Sequence, residues 1–321
     1  MLKEIPRGTG DWTTPHNENI RELNDTMPAI EIANRLYEGV NLIEKFAAEI
    51  TAAPFNGNPW AWIRARIRAQ NWKGLNVGDF IPFVASGNRY LAEIAGMNTY
   101  KRQGDAVAGN PHALVSDHID FITRDCHPDP FVFNRVNFNN GTTVSANPFL
   151  ASDIHARLNN LNTQVPNSAA ATPAMIAAGY AATGILNTLP ADLRAVMVPK
   201  RALVPTRFLT GQLLIDDTSW AWNDLGLLWL PFEFEVFGAT HFATRTIGHS
   251  TGGFLQYPIF AHRMDKIVKG AGDGGPRTIW WLASAGGGNS TSVALVSGNG
   301  RATTSSATIS PIRVPLCFRV S

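Results

Sequence analysis

Apolar and polar positions alternate along this chain in two periods. From Pro28 to Ile50, apolar residues recur every three or four positions: Ile30, Ala33, Tyr37, Val40, Ile43, Ala47 and Ile50. That spacing predicts one helix over 28–50, with Thr26 as its cap and Pro28 in its first turn. Pro54, Gly57 and Pro59 punctuate a linker, and a second helix opens at Trp60 and runs to Arg68. Its arginines, Arg64, Arg66 and Arg68, are expected on the solvated face opposite Trp62 and Ile63. Beyond it the period shortens to two. Phe80–Val84 and His118–Thr123 read as strands, the second with Ile119 and Phe121 alternating against His118 and Asp120. Short helices are expected from Asp153 to Leu161, from about Ala174 to Leu189, and again from Leu189. Leu228–Val236, Ile279–Leu282 and Pro315–Val320 read as three strands of one sheet, with Trp229, Trp280, Trp281 and Phe318 buried. The fold class is α+β.

The last forty residues organise this pattern. Two bulky apolar ends, Trp280–Leu282 and Pro315–Val320, enclose 284–310, which is almost entirely Gly, Ser, Thr, Ala and Asn apart from Val293–Val296. Buried anchors holding out a small-residue surface predict a display platform rather than a catalytic cleft.

The order Leu228-Trp229-Leu230-Pro231-Phe232-Glu233-Phe234-Glu235-Val236-Phe237-Gly238, then Trp280-Trp281-Leu282-Ala283-Ser284, then Pro315-Leu316-Cys317-Phe318, resembles a family of uncharacterised domains of bacterial and phage proteins. That family is similar in turn to the C-type lectin-like fold, shared by formylglycine-generating enzymes and by tropism determinants of some phages. This chain departs from the family pattern at Ala283, where Arg is usual. The resemblance covers residue 60 to the end. The segment around Trp12, Pro15 and Asn17-Glu18-Asn19 is similar to the first residues of phage tail-fibre and baseplate proteins. Together these imply a docking arm and oligomerisation helix over 1–59 and a C-type lectin-like domain over 60–321. They also imply a virion structural protein, made in the host cytoplasm and displayed as a fibre, decoration or receptor-binding protein. Its implied partners are other virion proteins through the arm, sister copies with a trimer favoured, and a host-surface glycan. The alternative is a purely structural assembly protein whose 284–310 loops are buried between subunits.

Composition narrows the chemistry. The chain has 321 residues, 45% hydrophobic and only 16% charged, with 27 Lys+Arg against 25 Asp+Glu and a net charge of +2. No basic footprint for nucleic acid follows from that balance. The apolar stretch 174–189 is too short to span a bilayer, so no membrane partner is expected. Cys126 and Cys317 read as two buried free thiols.

Gly248-His249-Ser250-Thr251-Gly252 matches the nucleophile-elbow pattern, but the helix that must follow is missing and the triad order fails. Cys126-His127-Pro128-Asp129 has no second ligand pair at zinc spacing, and 274–321 contains no Asp or Glu for calcium. His118 and Asp120 share a strand face, more in keeping with a hydrogen-bonded polar face than with a shared ion. No enzyme activity, cofactor or metal is therefore expected. The ligand-binding candidates are Asn289, Ser290, Asn299 and Arg301, adaptable amides and a hydroxyl beside the only charge in 284–310.

Overall fold

Helices and strands form for reasons visible in their first residues. In this computed structural model, residues 39–101, 116–137, 147–161, 183–205, 220–243, 255–286 and 291–321 are described. Helix α1 (Leu42–Lys45) starts where the Asn41 side chain accepts a hydrogen bond from the Ile43 amide. It is followed by α2 (Ala47–Thr51). Asn41 itself is extended and bridges Phe80, so the helix expected over 28–50 does not run through Gly39–Asn41; residues 28–38 lie outside the described residues. Leu42 and Ile50 are buried in the main core, so the helical seam over 41–51 packs on its own domain.

Helix α3 (Pro59–Arg68) begins with proline at its first position, and Asn58 caps the amides of Trp60 and Ala61. Its arginines do not form one solvated face. Arg68 is exposed, but Arg66 is only 8% exposed, because it reaches the backbone oxygens of Asn71 and Lys73 and the Glu49 carboxylate. The guanidinium also lies over the rings of Phe46 and Trp62. A fork of five donors finds buried acceptors that a sequence pattern does not display.

The main sheet has five antiparallel strands in the order β1-β2-β3-β12-β4: β1 Phe80–Ala85, β2 Asn88–Met97, β3 Ile119–Thr123, β12 Cys317–Val320 and β4 Met197–Val198. Residues on a strand alternate between faces. One face presents Phe83, Phe121 and Phe318 to Trp60 of α3, with Phe121 and Phe318 stacked 5.3 Å apart and Trp60 edge-on to both at 5.8 Å. The other face carries Asp120 opposite Arg319.

A second sheet of three strands, in the order β11-β10-β9, is built from β9 Trp280–Ala285, β10 Ser292–Val296 and β11 Ala302–Ser306. The remaining strands form ribbons, β5 (Arg201–Pro205) with β6 (Trp220–Asp224) and β7 (Lys269–Gly270) with β8 (Arg277–Thr278). The other helices are α4 (Asp153–Leu158), α5 (Ala191–Arg194), α6 (Glu233–Phe237) and α7 (Pro258–His262), with 3₁₀ turns at Ile185–Thr188 and Met264–Ile267. The mixture is α+β. Asn41–Ser321 forms one compact unit with a continuous apolar cluster from Leu42 to Val320. Most of the helix expected over 174–189 lies outside the described residues; Ile185–Thr188 is a 3₁₀ turn.

Two expectations need correction. Leu228–Val236 is not a strand. Trp229 makes a single antiparallel bridge to Cys317, Pro231 supplies no donor for a ladder, and the chain turns into α6. The Glu235 carboxylate accepts from the Phe232 amide at 2.9 Å, so the acidic residues that read as alternating strand positions cap a helix instead. Nor do the three apolar segments share one sheet. Trp280–Leu282 belongs to the three-stranded sheet and Cys317–Val320 to the five-stranded one, with a bridge from Trp280 to Arg313 between them. Trp229, Trp280, Trp281 and Phe318 are nonetheless buried as expected.

Candidate functional site

The expected loop surface over 284–310 is largely sheet. Val293–Val296 is buried in β10, where Val296 pairs with Trp280 and Leu295 with Trp281. The described loop at its end is the turn Ser297–Arg301. The Ser297 hydroxyl accepts from the Arg301 amide at 3.0 Å and donates to the Asn299 side-chain oxygen at 2.5 Å. Gly300 sits at φ 83°, and a β-carbon there would come 3.1 Å from a Val268 methyl, so the tight turn requires glycine. Asn299 is therefore a brace of the turn. Asn289 and Ser290 lie outside the described residues, as does Gly248–Gly252.

Arg301 has a different setting. It lines an open groove of about 480 Å³ with Gly300, Ala302, Phe237, His241 and Phe242. Its guanidinium has no partner among the described residues, and Phe242 is 42% exposed. The Phe237 and His241 rings stand 5.6 Å apart at 85°.

The wall that carries Phe237 and Phe242 is fixed by the segment around α6. Gly238, at φ 68°, ends α6 and donates to the Phe234 carbonyl; a side chain there would strike Gln256. The fully buried Glu233 carboxylate then receives the amides of Phe242 (3.1 Å) and Ala243 (2.8 Å). The Glu233 amide in turn donates to the Ser284 hydroxyl at 2.9 Å, tying α6 to β9. Ala243 also bridges Gly286. Of the described residues that line the groove, the sequence reading names Arg301 and not Phe237, His241 or Phe242. The available signal was an exposed-type pair, His241-Phe242, placed just past a helix-ending glycine.

A second concentration of polar groups is internal. Arg319 forks onto Asp120 at 2.7 and 2.9 Å, and Asp120 also accepts from the Tyr257 hydroxyl at 3.0 Å. Lys200 donates to that hydroxyl at 3.1 Å and to Glu235, which also receives the Tyr100 hydroxyl. Burial pushes the Asp120 carboxyl up, but the Arg319 guanidinium more than offsets this and holds it at about 2. Burial and then Arg319 push His118 down to about 4. Burial and the neighbouring carboxylates raise Tyr100 and Tyr257 well above the ordinary phenol value. Every member of this network is at most 5% exposed, so no substrate reaches it. Asp120 is therefore committed to Arg319 and Tyr257, not to an ion shared with His118.

Cys126 and Cys317 are free, buried thiols, and burial pushes Cys126 up to about 12. Among the described residues there is no cluster of His, Cys, Asp or Glu that could hold a metal ion, and no helix long and apolar enough to cross a membrane. Comparison with protein-family models, with curated proteins and with solved structures finds no match to this chain.

Proposed function

We propose that this chain is a structural protein of a bacteriophage particle that displays a C-type lectin-like binding domain for host attachment. One observation carries the binding part of this reading: the residues of the family-like segments, Glu233, Gly238 and Ser284, build the rigid wall of an exposed groove that Arg301 closes. Two aromatic rings, an imidazole and a guanidinium without a partner among the described residues form a recognition surface. Among the described residues, the lining has no carboxylate, thiol or hydroxyl side chain to pair with His241 as acid, base or nucleophile, which favours binding over catalysis. The particle, the amino-terminal docking arm and the trimeric assembly rest on the sequence resemblance.

The test is direct. Purified particles are probed with antibody to the chain and imaged by electron cryo-microscopy, and adsorption is measured with and without Arg301→Ala and Phe242→Ala. The reading expects the chain on the particle, the groove facing outward, and slower adsorption of both variants at full occupancy. Absence from particles refutes the virion assignment. A groove buried in a subunit contact supports the purely structural alternative instead.

A further inference from the structure

We infer that the groove between α6 and the start of β11 takes an acidic saccharide, with Arg301 pairing to its carboxylate and Phe237 and Phe242 supporting the sugar ring. This rests on the reading of the domain as a binding module and adds the chemical class of the ligand.

Charge is the first argument. Arg301 is the only formally charged residue of 284–310, it is exposed, and its guanidinium is unpartnered among the described residues. None of the described lining residues carries a carboxylate. The acids nearby in sequence, Glu233 and Glu235, are both fully buried, Glu233 against the amides of Phe242 and Ala243 and Glu235 against Lys200 and Tyr100. Among the described residues the groove thus presents positive charge with no partner to neutralise it. A planar guanidinium matches a carboxylate through two parallel hydrogen bonds.

Shape is the second argument. A volume of about 480 Å³ falls within the range of small-ligand sites. Its walls are aromatic, and Phe237 and His241 stand nearly at right angles, giving two distinct surfaces. A pyranose has an apolar C–H face and a polar rim, so it can rest on one ring while its substituents reach solvent and Arg301. An acidic peptide fits less well. Of strand β11 only Ala302 lines the groove, so among the described residues no run of strand edge lies inside it to pair with a peptide backbone.

The walls are also fixed before any ligand arrives. Glu233 holds one side through two backbone amides, and the Ser297–Gly300 turn holds the other. Little ordering remains for binding to cost.

The experiment is calorimetric titration of the full chain with trigalacturonic acid, maltotriose, sodium acetate and an Asp-rich tripeptide. The expected result is saturable binding of trigalacturonic acid that weakens with salt. Maltotriose and acetate should bind at least about tenfold more weakly, as should trigalacturonic acid to Arg301→Ala or Phe242→Ala, with Arg301→Lys intermediate. Both side chains are exposed, so circular dichroism and melting should match the parent. Equal binding of maltotriose, or binding that survives Arg301→Ala, overturns the inference. So does binding of the peptide in place of the saccharide, or self-association in sedimentation that Phe242→Ala abolishes. A chain found on particles that ignores acidic saccharides sinks this inference alone. Saccharide binding by a chain absent from particles sinks only the virion reading.

Discussion

Glu233 Oε2 lies 2.8 Å from the backbone nitrogen of Ala243, and both residues are buried. The same carboxylate takes the Phe242 amide, so one side chain sets the path of the loop that carries the exposed ring. Replacing it with Ala leaves two amides and the space unfilled. Glu233→Ala should cost about 2–4 kcal/mol in urea denaturation and weaken any groove ligand. Glu233→Gln, which turns one acceptor into a donor facing an amide, should fall between the two. An unchanged denaturation midpoint for Glu233→Ala would remove the loop-positioning role.

The Asp120–Arg319 pair is a second test of internal electrostatics. Each is 1% exposed and they face one another in register across β3 and β12. Removing one partner strands the other charge. Arg319→Met should cost about 3–5 kcal/mol, and Asp120→Asn somewhat less, since Tyr257 can still donate to the amide oxygen. The double variant should be less destabilised than the sum of the singles. Additive losses in this cycle would mean that the pair is not coupled.

Acid should destabilise the fold before it protonates Asp120. His118 and His155 are both held at about 4, below the ordinary histidine value of 6.5, mainly by burial. The unfolded chain therefore binds these two protons first, and stability falls as pH drops from about 6.5 towards 4, by on the order of 3 kcal/mol per histidine. Asp120, whose pKa is lowered to about 2, adds a further loss below about pH 4. Denaturation midpoints measured from pH 7 to 4 should show the first slope, and His118→Leu should flatten it relative to the parent. A midpoint independent of pH over that window would contradict the burial of both imidazoles.

Both thiols should be silent in the native state. Burial raises Cys126 and Cys317, and reactivity follows the thiolate. Ellman's reagent should label neither until denaturant is added, and then both. Rapid labelling of the native chain would mean that one cysteine is exposed.

The amino-terminal boundary can be set by truncation. Leu42 and Ile50 are at most 1% exposed, and Glu49 pairs with Arg66 and with the Trp62 indole. A chain starting at residue 51 should unfold at markedly lower denaturant than one starting at residue 41, by about 3–5 kcal/mol for the lost apolar anchors. Equal midpoints would place those side chains outside the core. The shorter deletion is the proper probe of docking on a particle.

Much of the core was legible because large apolar residues at regular spacing leave little choice. Phe121, Trp229, Trp280, Trp281 and Phe318 are all buried, as expected, although they do not share one sheet. The failures share a cause. Glu233 and Glu235 alternate with apolar neighbours as strand positions do, yet each carboxylate is buried against amides contributed by a turn, which periodicity does not encode. Arg66 was misplaced for the same reason. Of the groove, Arg301 was readable as a lone charge in a neutral stretch. Phe237, His241 and Phe242 lie more than fifty residues earlier in the chain, and the pairing of β9 with β10, the Glu233–Ser284 contact and the Ala243–Gly286 bridge bring the two walls together.

The position of β12 bears on how the fold closes. Residues 317–320 are inserted between β3 and β4, and Phe318 completes the aromatic stack over Phe121 beneath Trp60. Until that strand docks, β3 and β4 face one another across an open gap and Asp120 lacks its counter-charge. Closure of the core therefore joins segments far apart in the sequence, and a chain cut before residue 317 exposes an unfinished, adhesive sheet.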